Sequence, residues 1–175
     1  MRRAPPDVFI GAMMVEAALP QAENERFMGI ALQAARRALA AGEPPIGACL
    51  VKGREAIVTL SNAVISELDI TAHAEMRVIR EACRQLRKLE LSGCRLFVTV
   101  EPCLMCMSAC HYAAIPEVIC GASLADLHAL TGKELMVSHL DLAAHSQTSV
   151  SVIGNCLRDE CVALLETWAG NAARR

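Results

Sequence analysis

Two short motifs hold the residues whose types and spacing could do chemistry. One reads His-Ala-Glu at residues 73–75, and the other reads Pro-Cys-Leu-Met-Cys at residues 102–106. Each motif is common by chance, but the proline ahead of the first cysteine and the position of both motifs at predicted helix starts make the combination specific. Imidazole nitrogen and cysteine sulfur are donors that zinc binds in proteins. The spacing therefore predicts a zinc site built from His73, Cys103 and Cys106.

The predicted ligand set indicates catalysis rather than scaffolding. Three protein ligands leave the fourth tetrahedral position of zinc open to water, whereas a structural site would need a fourth ligand, for which Cys110 and His111 are the nearby spares. At a helix start the positive end of the helix dipole lowers the pKa of a thiol, so both cysteines can bind as thiolates. Two thiolates cancel the charge of the zinc ion, which makes a separate base useful. Glu75, two residues from His73, is the candidate catalytic base.

Taken together, the two motifs resemble the zinc-dependent cytidine and purine deaminases, whose signature pairs His-x-Glu with Pro-Cys-x-x-Cys. The resemblance follows the order of motifs from about residue 24 to residue 169. Within the family, the pattern is most similar to the branch of guanine deaminases and tRNA adenosine deaminases. The matching segments are residues 43–48, Asn62, residues 71–76, residues 98–103 and residues 159–161.

The resemblance implies a role for each matching residue. One zinc ion per subunit would be held by His73, Cys103 and Cys106, while Glu75 would accept a proton from the attacking water and pass it to the leaving amine. The reaction would be the hydrolysis of a C–N bond of a cyclic amidine, with release of ammonia from an exocyclic amine. The residues expected to contact the substrate are Asn62 at the edge of the base, with Ile46, Ala74 and Pro102 around it.

The identity of the substrate stays open at this point. Ile70 and Leu104 stand where the family often has proline, and residues 122–128 lack the Asp-x-Lys-x-Gly-Ala pattern that tRNA adenosine deaminases usually show. We therefore expect a guanine deaminase-like enzyme that acts on a purine base or nucleoside. The alternatives are a tRNA-specific adenosine deaminase, which would form inosine in the anticodon loop, and a catalytically silent zinc-binding scaffold. An intact Glu75 argues against the scaffold, which would not need that carboxylate.

The elements that must position these residues can be predicted from periodicity and turn signals. Gly42 and the two prolines after it stop the first helix, and Pro102 is expected to open a later helix at its first position. Thr71 and Asn155 are the expected N-caps of two further helices, and residues 123–147 give no clear pattern. The predicted helices cover residues 24–41, 72–88, 102–114 and 156–168, and the predicted strands cover residues 46–51, 56–61, 95–100, 118–121 and 148–153.

This order of elements predicts an α/β fold. A hairpin followed by strands joined through helices gives a mixed sheet with helices on its faces, so we expect a three-layer α/β/α sandwich around a five-stranded mixed sheet, as in the cytidine deaminase-like fold. The helix after Thr71 should face the core with Met76, Ile79, Cys83 and Leu86. Its opposite face carries a cationic stripe, interpreted as a solvated helix face rather than as a track for tRNA phosphates: Arg77, Arg80, Arg84, Arg87 and Lys88.

Length and composition bound the remaining possibilities. A chain of 175 residues suits one domain, which we place at residues 23–175 after an N-terminal extension over residues 1–22. The net charge of −2 gives no polybasic character, and no stretch is apolar enough for a membrane span, so the expected partner is a small-molecule purine, with tRNA less favoured. Nine cysteines, an odd number, favour reduced thiols in the cytoplasm. The family resemblance implies a homodimer or a tetramer, and we favour the homodimer.

Overall fold

The structure, a computed structural model, describes residues 18–137, 144 and 150–172. Within these residues it confirms the predicted α/β fold, with five strands in one sheet. None of the helices in the described ranges is long and apolar enough to cross a membrane. The helices are α1 (Gln21–Ala40), α2 (Ala74–Leu86), α3 (Leu104–Tyr112), α4 (Leu124–Thr131) and α5 (Arg158–Ala172), and the strands are β1 (Gly47–Lys52), β2 (Glu55–Ser61), β3 (Cys94–Val100), β4 (Glu117–Ala122) and β5 (Ser151–Ile153).

The sheet is mixed, as predicted, and its strand order is β2-β1-β3-β4-β5. β1 runs antiparallel to β2 and β3, while β3, β4 and β5 run parallel to one another. The hairpin between β1 and β2 turns at Gly53, whose φ of 59° suits glycine. Because β3 is central, all seven of its residues are buried.

Two hydrophobic layers form on opposite faces of the sheet, because successive side chains of a strand point to opposite sides. In β3, Leu96 and Val98 pack with the buried residues of α2 and α3, whereas Phe97 packs with α1 and α5. β1 approaches α1 so closely that a Cβ atom on Gly47 would lie 2.2 Å from the carbonyl oxygen of Ala31. Helices therefore cover both faces, which confirms the three-layer sandwich.

Several predicted helix starts are wrong by a few residues. α2 has His73 as its N-cap, not Thr71, which instead pairs through its backbone N–H with the carboxylate of Asp69 at 2.8 Å. α3 begins at Leu104 with Cys103 as its N-cap, so Pro102 lies one residue before the cap. α5 begins at Arg158, and Asn155 does not cap it but takes a left-handed conformation with φ of 67°.

The predicted core face of α2 is also only partly right. Ile79 is buried, but Met76, Cys83 and Leu86 are only partly buried. The buried face of the helix is therefore turned by about one residue from the predicted one. The buried residues of α2 are Ala74, Glu75, Val78, Ile79 and Ala82.

Two expectations fall partly outside the described residues. Residues 1–17 are not described, so the N-terminal extension and the domain boundary at residue 23 stay predictions, although α1 already begins at Gln21. Residues 148–149 are not described either, so the start of the strand predicted over residues 148–153 stays a prediction. The stretch that gave no clear pattern contains α4, whose N-cap Ser123 forms a reciprocal capping box with Asp126.

Candidate metal centre and substrate cavity

The predicted ligands lie at the starts of two helices that converge on one point. His73 and Cys103 are the N-caps of α2 and α3, and both have extended backbones, with ψ of 151° and 170°. Neither side chain caps its own helix. Two residues that are two positions apart in an α-helix point in nearly opposite directions. Because His73 lies just before α2, its imidazole can point to the same side as Glu75. The two helix starts thus turn their side chains toward each other.

The distances between the three donor atoms fit a zinc ion. The Sγ atoms of Cys103 and Cys106 lie 3.7 Å apart, and the Nδ1 atom of His73 lies 3.7 Å from the first and 3.6 Å from the second. Zinc bonds of about 2.3 Å to sulfur and about 2.0 Å to nitrogen at tetrahedral angles require edges of about 3.8 Å and about 3.6 Å. The three side chains are therefore already spaced for one tetrahedral zinc ion, with one position left over.

The electrostatics of the trio favour a metal cation. Hydrogen bonding between Cys103 and its neighbours Cys106 and His73 outweighs burial and lowers the pKa of Cys103 to about 4. The same hydrogen bond to Cys103 raises the pKa of Cys106, and the contact with Cys103 raises the pKa of His73. One thiolate is thus formed readily, and the second needs a positive charge beside it, which a zinc ion would supply.

Glu75 lies in the first turn of α2 and is only 4% exposed. Burial raises the pKa of its carboxyl group. It lines the same cavity as His73 and Cys103 but is not one of the three grouped donor residues. A buried carboxyl group beside the metal position, and not needed to hold the metal, is placed to accept and return a proton.

A cavity of about 180 Å³ extends from this point between the sheet, α4 and α5. Its volume is of the order of one nucleobase. No lysine or arginine appears among the lining residues that the structure describes, so the cavity offers no cation to a phosphate group. The polar lining residues are Asn62, His73, Glu75, Glu101, Cys103 and Glu134, and the apolar ones are Pro44, Pro45, Ile46, Val64, Ile70, Val100, Leu124, Leu127, Leu165 and Trp168.

Asn62 presents the edge of its side chain to the cavity. Its Oδ1 atom accepts a hydrogen bond from the backbone N–H of Val64 at 3.0 Å, which fixes the orientation of the amide. Its own backbone N–H donates to the carbonyl oxygen of Ile46 at 2.8 Å. In the part of the chain that the structure describes, no group accepts a hydrogen bond from the Asn62 amide nitrogen. That NH2 group can therefore donate to an acceptor on a bound base.

Two of the four predicted substrate contacts line the cavity, and two do not. Ile46 lines the cavity, as Asn62 does. Ala74 and Pro102 are buried next to the metal ligands in the sequence but do not line the cavity. Contact of these four residues with a substrate stays a prediction.

Three carboxylates in or beside the site were given no role in the sequence analysis. Glu101 accepts a hydrogen bond from the backbone N–H of Leu124 at 3.2 Å and so ties the start of α4 to the metal region. Glu134 lines the cavity from the stretch that gave no clear pattern. Glu43 lies behind the loop that carries Asn62. Glu43 and Glu101 fall within the matching segments 43–48 and 98–103, whereas Glu134 had no such signal.

The cationic stripe of α2 is partly used within the fold. Arg77 donates to the carbonyl oxygen of Ser61 and pairs with Glu67 at 3.0 Å. Arg84 pairs with Glu81 at 3.7 Å on the exposed face of the helix. Two of the five cations are thus engaged with neighbouring carboxylates, which is consistent with a solvated face.

Comparison with known proteins identifies the family. The model of the cytidine and deoxycytidylate deaminase zinc-binding region matches residues 21–122, which include every residue of the metal centre. The chain belongs to this family. Members of this family are zinc-binding deaminases, and His73, Cys103 and Cys106 are residues of this chain whose donor atoms lie close enough together to hold a metal ion.

Individual relatives carry two different substrate names. The chain is 48% identical over 99 residues to a tRNA-specific adenosine deaminase of Aquifex aeolicus, an alignment that covers 57% of the chain and 66% of the relative, just under two thirds of its length. It is 35% identical over 145 residues to the tRNA-specific adenosine deaminase of Buchnera aphidicola, covering 83% and 93% of the two chains. A solved guanine deaminase from Nitrosomonas europaea has a TM-score of 0.73 at 25% identity, covering 93% of this chain and all of that one.

Proposed function

We propose that this deaminase converts an adenosine of tRNA to inosine. The observation that carries the proposal is the identity of 48% and 35% to two tRNA-specific adenosine deaminases, one of them aligned over 83% of this chain. This reverses the order of preference drawn from residues 122–128 and from the net charge of −2. The missing pattern there concerns one segment after β4, whereas the likeness to the Buchnera enzyme extends over most of the chain.

The cavity suits a base that has been turned out of a nucleic acid strand. It has the volume of about one base, and its described lining has no lysine or arginine for a phosphate. A nucleotide would therefore leave its phosphates outside, as an RNA strand does when one base is flipped into a pocket. The apolar walls, including Leu124, Leu127 and Trp168, would contact the faces of the purine ring.

The residues of the site divide the chemistry between them. Zinc bound by His73, Cys103 and Cys106 would polarise a water molecule and make it nucleophilic at neutral pH. Glu75 would accept a proton from the water molecule that attacks C6 of adenine. The same carboxyl group then gives the proton to the exocyclic nitrogen, so that the C–N bond breaks and ammonia leaves. Asn62 donates from its amide nitrogen to a ring acceptor and holds C6 in place.

A second candidate, a free base of the guanine type, is favoured by Glu134. Its carboxylate lines the cavity, and its side chain is 17% exposed. Guanine offers a neighbouring ring N–H and amine that a carboxylate can accept together, whereas adenine has no ring N–H on that edge. The likeness to the Nitrosomonas guanine deaminase supports the same reading.

The deciding experiment measures ammonia release from a panel of substrates. The panel contains guanine, adenine, cytosine, their nucleosides and a tRNA anticodon stem-loop with adenosine at the first anticodon position. Release from the stem-loop alone supports the proposal, and release from guanine alone supports the second candidate. Release from none of them, by protein that contains zinc, would favour the silent scaffold. Glu75→Ala is the control, because it must abolish any release that comes from this site.

The proposal includes a homodimer. Ile65, Leu68 and Ile70 are 57%, 93% and 79% exposed, and they lie on the loop beside the cavity. Exposed apolar side chains next to a site are typical of a surface that another chain covers. Sedimentation of the purified protein is expected to give twice the chain mass of 18.8 kDa.

A further inference from the structure

Glu43 is a buried carboxylate outside the metal centre, and both of its oxygens serve one loop. The residue is 4% exposed. Its Oε2 atom accepts from the backbone N–H of Ile65 at 3.0 Å, and its Oε1 atom accepts from the backbone N–H of Ser66 at 2.6 Å. The side chains of Ile65 and Ser66 are exposed, so the loop turns its N–H groups inward to the carboxylate.

The position of Glu43 is fixed by the end of α1. Gly42 has a φ of 82°, and its N–H donates to the carbonyl oxygen of Leu39 at 3.1 Å, while the N–H of Glu43 donates to that of Ala38 at 2.9 Å. These two bonds form a Schellman motif. Pro44 and Pro45 follow and restrict the next two φ angles. The carboxylate is therefore presented from a rigid corner of the fold.

The loop that Glu43 holds carries the cavity wall. Asn62 and Val64 line the cavity, and the N–H groups bound by Glu43 come directly after Val64. Arg77 of α2 donates to the carbonyl oxygen of Ser61, just before Asn62, and pairs with Glu67 after the loop. The segment that presents Asn62 is thus anchored at both ends.

We infer that Glu43 is a positioning residue, which sets the Asn62 amide against the substrate base by holding the loop of residues 62–66. It touches neither the metal ligands nor the reacting atoms. The inference rests on the proposed function only in that Asn62 contacts the base, whichever purine that base is. Losing Glu43 should therefore weaken substrate binding more than it slows the chemical step.

The test compares Glu43→Gln with Glu81→Gln, which makes the same chemical change on the exposed face of α2. Amide hydrogen exchange is followed by mass spectrometry on a peptide spanning residues 60–67. In the wild type the amides of Ile65 and Ser66 should be protected despite their exposed side chains. Glu43→Gln leaves one of these N–H groups without an acceptor, so exchange should become about tenfold faster, while Glu81→Gln should change nothing.

Kinetics separate positioning from a general structural effect. Glu43→Gln is expected to raise KM about tenfold and to change kcat less than threefold, because the interaction lost is one used in binding. In an Asn62→Ala background the same change should raise KM no further, because Glu43 acts through Asn62. If Glu43→Gln does not fold, Glu43→Asp keeps the charge, reaches one of the two N–H groups and should give smaller shifts in the same direction.

Three results would overturn the inference. They are unprotected Ile65 and Ser66 amides in the wild type, faster exchange in Glu43→Gln with an unchanged KM, and KM effects of Glu43→Gln and Asn62→Ala that multiply in full. A protein that deaminates nothing in the substrate panel would reject the proposed function. The exchange measurement would then still show whether Glu43 holds the loop.

Discussion

Glu75→Gln separates proton transfer from metal binding, because the amide has the shape of the carboxylic acid but cannot move a proton. Glu75 is 4% exposed and lies outside the donor trio, so the substitution leaves no cavity and removes no ligand. A positioned acid or base contributes about 10²- to 10⁴-fold to rate. Since Glu75 serves both the water and the leaving amine, the loss should lie at the upper end, about 10⁴-fold or about 5 kcal/mol of transition-state free energy.

The assay is initial-rate ammonia release, read together with the zinc content and the unfolding temperature of the same preparation. Zinc should be unchanged. The unfolding temperature should not fall, because a neutral amide is easier to bury than a carboxylate. A rate within tenfold of the wild type would show that another group carries the proton. Loss of zinc with Glu75→Gln would show that Glu75 is a ligand, and the division of roles would be wrong.

Three further predictions concern the scaffold, each checked by urea unfolding. Gly47→Ala should destabilise the fold by about 3 kcal/mol because its Cβ would meet backbone atoms of α1; a loss below about 0.5 kcal/mol would contradict this packing. Arg95→Met should cost about 3–5 kcal/mol by leaving buried Glu117 without its 2.7 Å partner, and adding Glu117→Leu should restore much of it. Although partial burial opposes it, hydrogen bonds from Ser123 and Arg158 lower the pKa of Asp126. The stability lost in Asp126→Asn should therefore be constant above about pH 5 and shrink as pH falls further, and a pH-independent difference would refute this.

The metal centre could be predicted from the sequence because its information is local. Two short motifs are enough to predict the metal ligands and the candidate base. One contains Cys103 and Cys106, and the other contains His73 and Glu75. The helix starts could not be placed as well. Thr71 has the better capping side chain, but His73 takes the N-cap position because its ring must meet the two thiols from α3. Here the tertiary contact overrides the local preference.

The cavity was harder to predict because its walls come from segments far apart in the chain. Glu43 accepts hydrogen bonds from Ile65 and Ser66, which follow it by 22 and 23 positions in the sequence. Glu134 lines the cavity but belongs to a stretch without clear periodicity. The start of α4 did have a readable signal. Ser123 followed three residues later by Asp126 is a capping pattern, and the structure forms both of its hydrogen bonds.

X-ray absorption at the zinc edge reads the ligands of the metal site itself, which we expect to be two sulfur atoms, one nitrogen atom and an open position. We expect one zinc per chain, with two sulfur neighbours at about 2.3 Å and two nitrogen or oxygen neighbours at about 2.0 Å. Cys106→Ser should lose the metal. A shell of three sulfurs, which would bring in a cysteine such as the buried Cys110, would show a closed structural site and contradict the catalytic account.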